Sequence, residues 1–482
     1  MATFRGPALV LALLLAAPAA ALPFPSLLCA PIGFGCEQWV QRYDGPGNGL
    51  DDAGALAMSP DGGTAYLTGH SLGDGTGFDM ATLALDTATG ARRWVARVDG
   101  PDSGTDEGRA VAPTPDGALV VTAGYVAAGG DQDIAVAAHD AATGDLRWSV
   151  TYDLARGFDL GLGLAVAAGR AYVAGLSEAP GGDWDATILA LDAATGARAW
   201  ATQLGGAGQQ RAHAVAVTPD GSFVVVAGLS EAAPGMAMLL TAGLDAATGA
   251  VRWTALDGGP SQIGDPDSDA QLALLDGATL VASAAGQGAD GTLDIHVVAR
   301  DAATGALAWA ARHAQPEGVD RPHALAVAPW VVLVAGATEP KGDGGSADYV
   351  TFALNAANGE ELWAARFNGL GSRTDRALAL AVSPDGARVF VAGESFGTPA
   401  EIHVNPIDAG AGTGLDYGTV AYRVADGVRL WAAQYDGANS VDRARGIAVT
   451  PDGARVIVGG HSHGGASGFD YAAVAYDSAG PG

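Results

Sequence analysis

Ala84-Leu85-Asp86-Thr87-Ala88-Thr89-Gly90-Ala91-Arg92-Arg93-Trp94 decides the fold, because its pattern, Ala-x-Asp-x-x-Thr-Gly-x-x-x-Trp, returns about every fifty residues. The pattern is intact at 138–148, 190–200 and 299–309 and altered at 243–253, 353–363 and 421–431. Trp39, Trp94, Trp148, Trp200, Trp253, Trp309, Trp363 and Trp431 mark eight units, 52 to 56 residues apart except for a 68-residue step into Trp431. A fixed period overrides the length of 482 residues as a guide to domain number, and it indicates one repeat array.

Each unit reads as four strands. In the first, residues 53–59 are apolar, Pro60-Asp61-Gly62 is a turn, and residues 64–69 form a second strand. A glycine-rich loop leads to a third strand at 79–86, and the Thr-Ala-Thr-Gly turn leads to the tryptophan strand at 92–98. The Pro-Asp-Gly turn recurs at Pro115, Pro219, Pro384 and Pro451, and the second strand carries glycine at 124, 175, 228, 336, 393 and 460. Helical periodicity appears nowhere outside residues 1–21. The expected fold is all-β: an eight-bladed β-propeller with four antiparallel strands per blade. The last unit holds only three strands, whereas the Trp39 strand precedes any blade of its own. The N-terminal strand should therefore close blade eight and remove its open edge.

Residues 1–21 read as a secretory signal, with Arg5, a short apolar run and Ala19-Ala20-Ala21 before the cut. Residues 22–37 form an N-terminal segment, and 38–482 a single propeller domain. The segment holds both cysteines, Cys29 and Cys36, and in an exported chain a local disulfide is expected. The expected location is secreted or extracytoplasmic. The formal charge of −28 disfavours nucleic acid and anionic membrane surfaces, and no later stretch is apolar enough to insert in a bilayer.

The Ala-x-Asp-x-x-Thr-Gly-x-x-x-Trp element resembles the tryptophan-docking motif of the quinoprotein (PQQ) dehydrogenases and related PQQ-like propellers, over residues 38–480. The runs Tyr43-Asp44-Gly45-Pro46-Gly47 and Gly468-Phe469-Asp470-Tyr471-Ala472 also look like bacterial secreted β-propeller repeats. The resemblance implies eight blades. For the dehydrogenases it further implies PQQ against a vicinal disulfide, a calcium ion on Glu, Asn and Asp, and a catalytic Asp. No cysteines are adjacent here, so PQQ is disfavoured. The same motif builds enzymes and scaffolds alike.

Three Gly-x-Ser-x-Gly matches, at Ser71, Ser395 and Ser462, follow the repeat and precede hairpins rather than helices, so no catalytic serine is expected. Aspartate recurs before the first strand (Asp51, Asp106, Asp159, Asp320, Asp375, Asp442) and the third (Asp79, Asp133, Asp185, Asp294, Asp348, Asp416, Asp470). Bracing of turns is the expected role, with calcium as the alternative. Arg109, His213, His323 and Arg445 share one first-strand position near the channel, where pairing with aspartates is weighed against an anion. Trp184 and Trp330 stand outside the repeat position, as edge packing or a ligand platform.

A ligand site is placed at the closure seam on the loop face, at His70, Glu394 and His461 with His463. The twenty-residue blade-seven loop, which carries His403, falls in the same sector. A transition metal or a small anion would suit these groups. The function expected is a secreted, non-enzymatic, monomeric binding or scaffold propeller that recognises a protein, glycan or small ligand. The alternative is a PQQ-dependent oxidoreductase.

Overall fold

A computed structural model describes residues 35–480 except 155–156, 207, 234–235, 263–268, 289–290, 316–317, 341–345, 370–373, 397–413 and 438–439. The signal segment, Cys29 and His403 lie outside the described residues. Eight four-stranded antiparallel sheets make up the chain. The first contains Asp51–Met58, Thr64–Leu72, Phe78–Asp86 and Arg92–Val98, each within two or three residues of the bounds expected from sequence. Successive sheets occupy 107–152, 159–204, 210–262, 271–313, 318–367 and 376–435. Among the described residues the only helical turn is Gly465–Ser467.

Blade eight is completed by the other end of the chain. Glu37–Tyr43 lies antiparallel on Phe469–Asp477, with Trp39 opposite Ala475 and Tyr43 opposite Tyr471. The ring is therefore closed by the first strand of the domain, as the tryptophan spacing requires. Cys36, beside this strand, is buried and is not a free thiol.

The repeat tryptophan fastens each blade to the next. All eight indole Nε1 atoms donate to a backbone carbonyl in the following blade's Asp-x-x-Thr-Gly turn or its equivalent, at 2.8 to 3.2 Å. The turn itself is held by its aspartate: Asp86 Oδ1 accepts the N–H and the hydroxyl of Thr89. The glycine that ends the turn has φ between 69° and 79°, and a Cβ there would fall within 3.0 Å of the preceding blade's indole. This explains why the turn of the motif ends in glycine and the strand after it carries tryptophan. Trp431, at 1% exposed, is the most enclosed of the eight, against Phe390 and Tyr476. Trp431→Ala should lower stability by roughly 3–5 kcal/mol, read from the denaturant midpoint, because it leaves a cavity and orphans the Ser478 carbonyl.

A second glycine sets the channel. In seven blades the first strand carries a register shift, after Ala53, Gly108, Gly161, Ala212, Pro322, Ala377 and Ala444. The extra residue is in turn Gly54, Arg109, Leu162, His213, His323, Leu378 and Arg445. Opposite each bulge stands the second-strand glycine, Gly69, Gly124, Gly175, Gly228, Gly336, Gly393 or Gly460. A Cβ on any of them would collide with a first-strand carbonyl. Blade five has Ala284 at that position. Its first strand is only five residues long, keeps regular register, and stops pairing at Ser283. The bulge thus depends on glycine, and it turns one residue of each bulged blade toward the axis, in six of them with a side chain.

The recurrent first-strand aspartates brace the loops around the bulges. Asp51 accepts the N–H groups of Gly45 and Leu72, Asp375 those of Gly369 and Phe396, and Asp442 those of Gly437 and His463. Their role in the turns follows directly from these bonds.

Candidate functional site

The bulged side chains line a cavity of ≈ 900 Å³ on the propeller axis, to which all eight blades contribute. Arg109, His213, His323 and Arg445 all face it, as their shared position suggests. Two residues earlier on the first strands, nearer the loop face, stand Asp52, Glu107, Leu160, Arg211, Arg376 and Arg443, which line the same cavity. Five arginines therefore meet in the channel of a chain with 53 acidic and 25 basic residues.

Several of these charges are matched. Arg109 Nε lies 3.1 Å from Glu107, and Glu394, 3% exposed, takes Arg443 at 2.7 Å and Arg376 at 3.3 Å. His213 is enclosed, with Nε2 3.3 Å from Asp269 and Nδ1 accepting the Ala270 N–H. Burial pulls its pKa down, against the opposing pull of Asp269, so the ring is held toward its neutral form.

Arg211 and Arg445 differ. Among the described residues neither reaches a carboxylate within ion-pair distance. Arg211 sits 4.6 Å over the ring of Trp184 and donates to Gln209 Oε1 at 3.3 Å. Burial pulls its pKa down, which the Asp269 charge opposes. Trp184 is thus a wall of the channel and a platform for a cation, whereas Trp330 is 47% exposed in a hairpin. Arg211 and Arg445 belong to blades four and eight, opposite each other in an eight-bladed ring.

His70, Glu394 and His461 do not form one cluster of their own. Each reaches from a second strand to the first strand of the next blade: His461 Nδ1 to Asp52 at 2.5 Å, Glu394 to Arg443, and His70 toward Glu107 at 4.0 Å. The His461 hydrogen bond and charge hold Asp52 below the usual carboxylate range against the cost of its burial. These residues support the channel rim from behind. His463 lies farther out, its ring edge on Phe469 and its Nδ1 accepting the Gly465 N–H. Ser71 and Ser462 are similarly structural, each accepting from an arginine on an outer strand, Arg97 or Arg42.

The calcium and quinone site implied by the resemblance does not fit the channel. The carboxylates that line it, Asp52, Glu107 and Asp269, are each engaged by His461, Arg109 and His213, and no pair of adjacent cysteines exists in the chain.

Eight closed blades, each sealed by a docking tryptophan, define an eight-bladed β-propeller. Residues 132–339 match the family model described as outer membrane protein assembly factor BamB. Among solved structures, the quinohemoprotein alcohol dehydrogenase from Pseudomonas putida is 16% identical, covering 94% of this chain and 77% of that one at a TM-score of 0.53. Its counterpart from Comamonas testosteroni is 14% identical, over 92% and 77% of the two chains, at 0.54. Sqt1 of Chaetomium thermophilum, bound to the N-terminus of a ribosomal protein, is 13% identical over 90% and 98%, at 0.55. These likenesses concern the fold. No curated protein matches the chain.

Proposed function

We propose that this protein is an exported binding propeller that holds a small, multiply charged anion at the loop-face end of its central channel. The observation that carries this reading is the gathering of five arginines in one cavity of an otherwise acidic chain, two of them without a carboxylate partner among the described residues. Like-charged groups in a concave, partly desolvated site raise the local concentration of the opposite ion. Because Arg211 and Arg445 face each other across the ring, a ligand with two anionic ends, such as a dicarboxylate, suits the site better than a single small ion.

Calorimetric titration with citrate, succinate and inorganic phosphate tests this. Replacing one charge-assisted contact costs about 1.5–3 kcal/mol, so Arg445→Gln should weaken binding by roughly tenfold or more. Affinity should also fall as salt is raised. Absence of binding by all three probes at low salt, or an unchanged affinity in Arg445→Gln, would reject the reading. A parallel titration with PQQ and calcium, followed by a dye-linked oxidation assay, addresses the oxidoreductase reading. Dye reduction that needs both would replace the binding role with catalysis.

A further inference from the structure

Four of the blade junctions on the loop face repeat one four-residue arrangement. It comprises the aspartate that opens a third strand, the outer-strand residue three places after the tryptophan, the residue five places after it, and the aspartate that opens the next blade. Between blades eight and one these are Asp470, Arg42, Asp44 and Asp51, and between blades one and two Asp79, Arg97, Asp99 and Asp106. In both, the arginine lies on the third-strand aspartate, at 3.1 and 2.8 Å.

Between blades seven and eight the aspartates are Asp416, Asp436 and Asp442, but the outer-strand residue is Gln434. Between blades two and three they are Asp133, Asp153 and Asp159, and the residue is Thr151. At each of these two junctions, as at the arginine-bearing one between blades eight and one, the three carboxylates bring an oxygen within 4.8 Å of one another, so the junctions differ in the guanidinium and not in the carboxylates. Asp416 is 4% exposed and Asp133 7%, and in each the Oδ1 atom is buried without a hydrogen-bond partner among the described residues; Oδ1 of Asp79 and Asp470 is likewise partnerless, but there the arginine neutralises the carboxylate through Oδ2. Gln434 donates to the other oxygen of Asp416 at 2.6 Å but brings no charge. Asp442 already accepts one N–H on each oxygen, which leaves further acceptor positions on both.

From the missing guanidinium and the partnerless buried oxygens, we infer that a calcium-sized divalent cation occupies the blade seven–eight junction on Asp416, Asp436 and Asp442. By the same rule one occupies the blade two–three junction on Asp133, Asp153 and Asp159. Buried anions need a counter-charge, and where the repeat supplies arginine the protein provides it itself. An all-oxygen set of carboxylates with room for water selects a hard cation. Calcium tolerates irregular geometry here better than magnesium, which demands a near-ideal octahedron. The sites lie at the blade junctions, so this inference does not depend on what the channel binds.

Calcium chloride titrated calorimetrically into the chelator-treated full chain tests it, with terbium luminescence as a second readout. Two equivalents of calcium are expected, with magnesium competing weakly, and the melting temperature should rise with calcium. Gln434→Arg installs the guanidinium found at the neighbouring junctions and should remove one equivalent while keeping the fold, as read by circular dichroism. If that variant does not fold, Asp416→Asn should lose the same equivalent. No calcium binding at millimolar concentration, or an undiminished stoichiometry in the folded variant, would overturn the inference.

Discussion

Deletion of residues 35–45 should convert a closed ring into an aggregating one, with the thermal midpoint collapsing or the transition becoming irreversible. The reason is the position of Glu37–Tyr43 on the outer edge of blade eight. Without it the third strand, Phe469–Asp477, shows a row of unpaired N–H and carbonyl groups, flanked by apolar residues, on which another chain can pair. The loss extends beyond backbone pairing. Trp39 ties blade eight to blade one through the Thr87 carbonyl, and Tyr43 stands edge-on to Tyr471, with ring centroids 5.8 Å apart. Arg42 joins Asp470, Ser462 and Tyr435. A ring held by nearest-neighbour contacts depends on every junction, and this one links the two ends of the chain. Size-exclusion chromatography and a melting scan of the shortened chain decide the point. A monomer that melts like the full chain would show that closure by this strand is dispensable.

The blades were legible because tryptophan and the Asp-x-x-Thr-Gly turn do the same physical work eight times, and a constant function leaves a constant spacing. The Trp39 strand could be assigned for the same reason, since a repeat short by one strand must find it elsewhere. The second-strand glycine was equally visible, but not its purpose. Its missing Cβ matters only to a carbonyl on the paired first strand, and register is not written in either strand alone. Arg109, His213, His323 and Arg445 could be aligned by their position, yet Arg211, Arg376 and Arg443 stand where other blades carry Asp52, Glu107 and Leu160. No repeat signal marks them. The acidic junctions were half legible. Asp416 and Asp442 belong to recurrent series, whereas Asp436 joins them only when an outer strand ends beside the next blade's inner one. His70, Glu394 and His461 were picked out as unusual for their positions, and what made them so is a cross-blade ion pair at the rim, a relation between units that position within a unit does not show.

Gly460→Ala is expected to damage both stability and the channel, and the two effects come from one atom. The new Cβ would collide with the carbonyl of Arg443, whose place is fixed by the bulge between Ala444 and Gly446. The collision can be relieved by straightening the first strand or by parting it from the second. Straightening removes the extra residue, Arg445, from its channel-facing position. Blade five, with Ala284 and no bulge, shows the geometry that a side chain at this point accepts. Overpacking of this kind costs roughly 1–3 kcal/mol, and here a strand register changes as well, so the upper end is expected in a denaturant titration. Gly181→Ala is the control: its Cβ meets nothing within 4 Å, and its effect should stay within about 0.5 kcal/mol. Where the folded Gly460→Ala chain can be purified, its affinity for a dicarboxylate should fall as far as that of Arg445→Gln, although Arg445 is unchanged. A variant that keeps full stability and full affinity would mean that the bulge does not need glycine and does not aim the arginine.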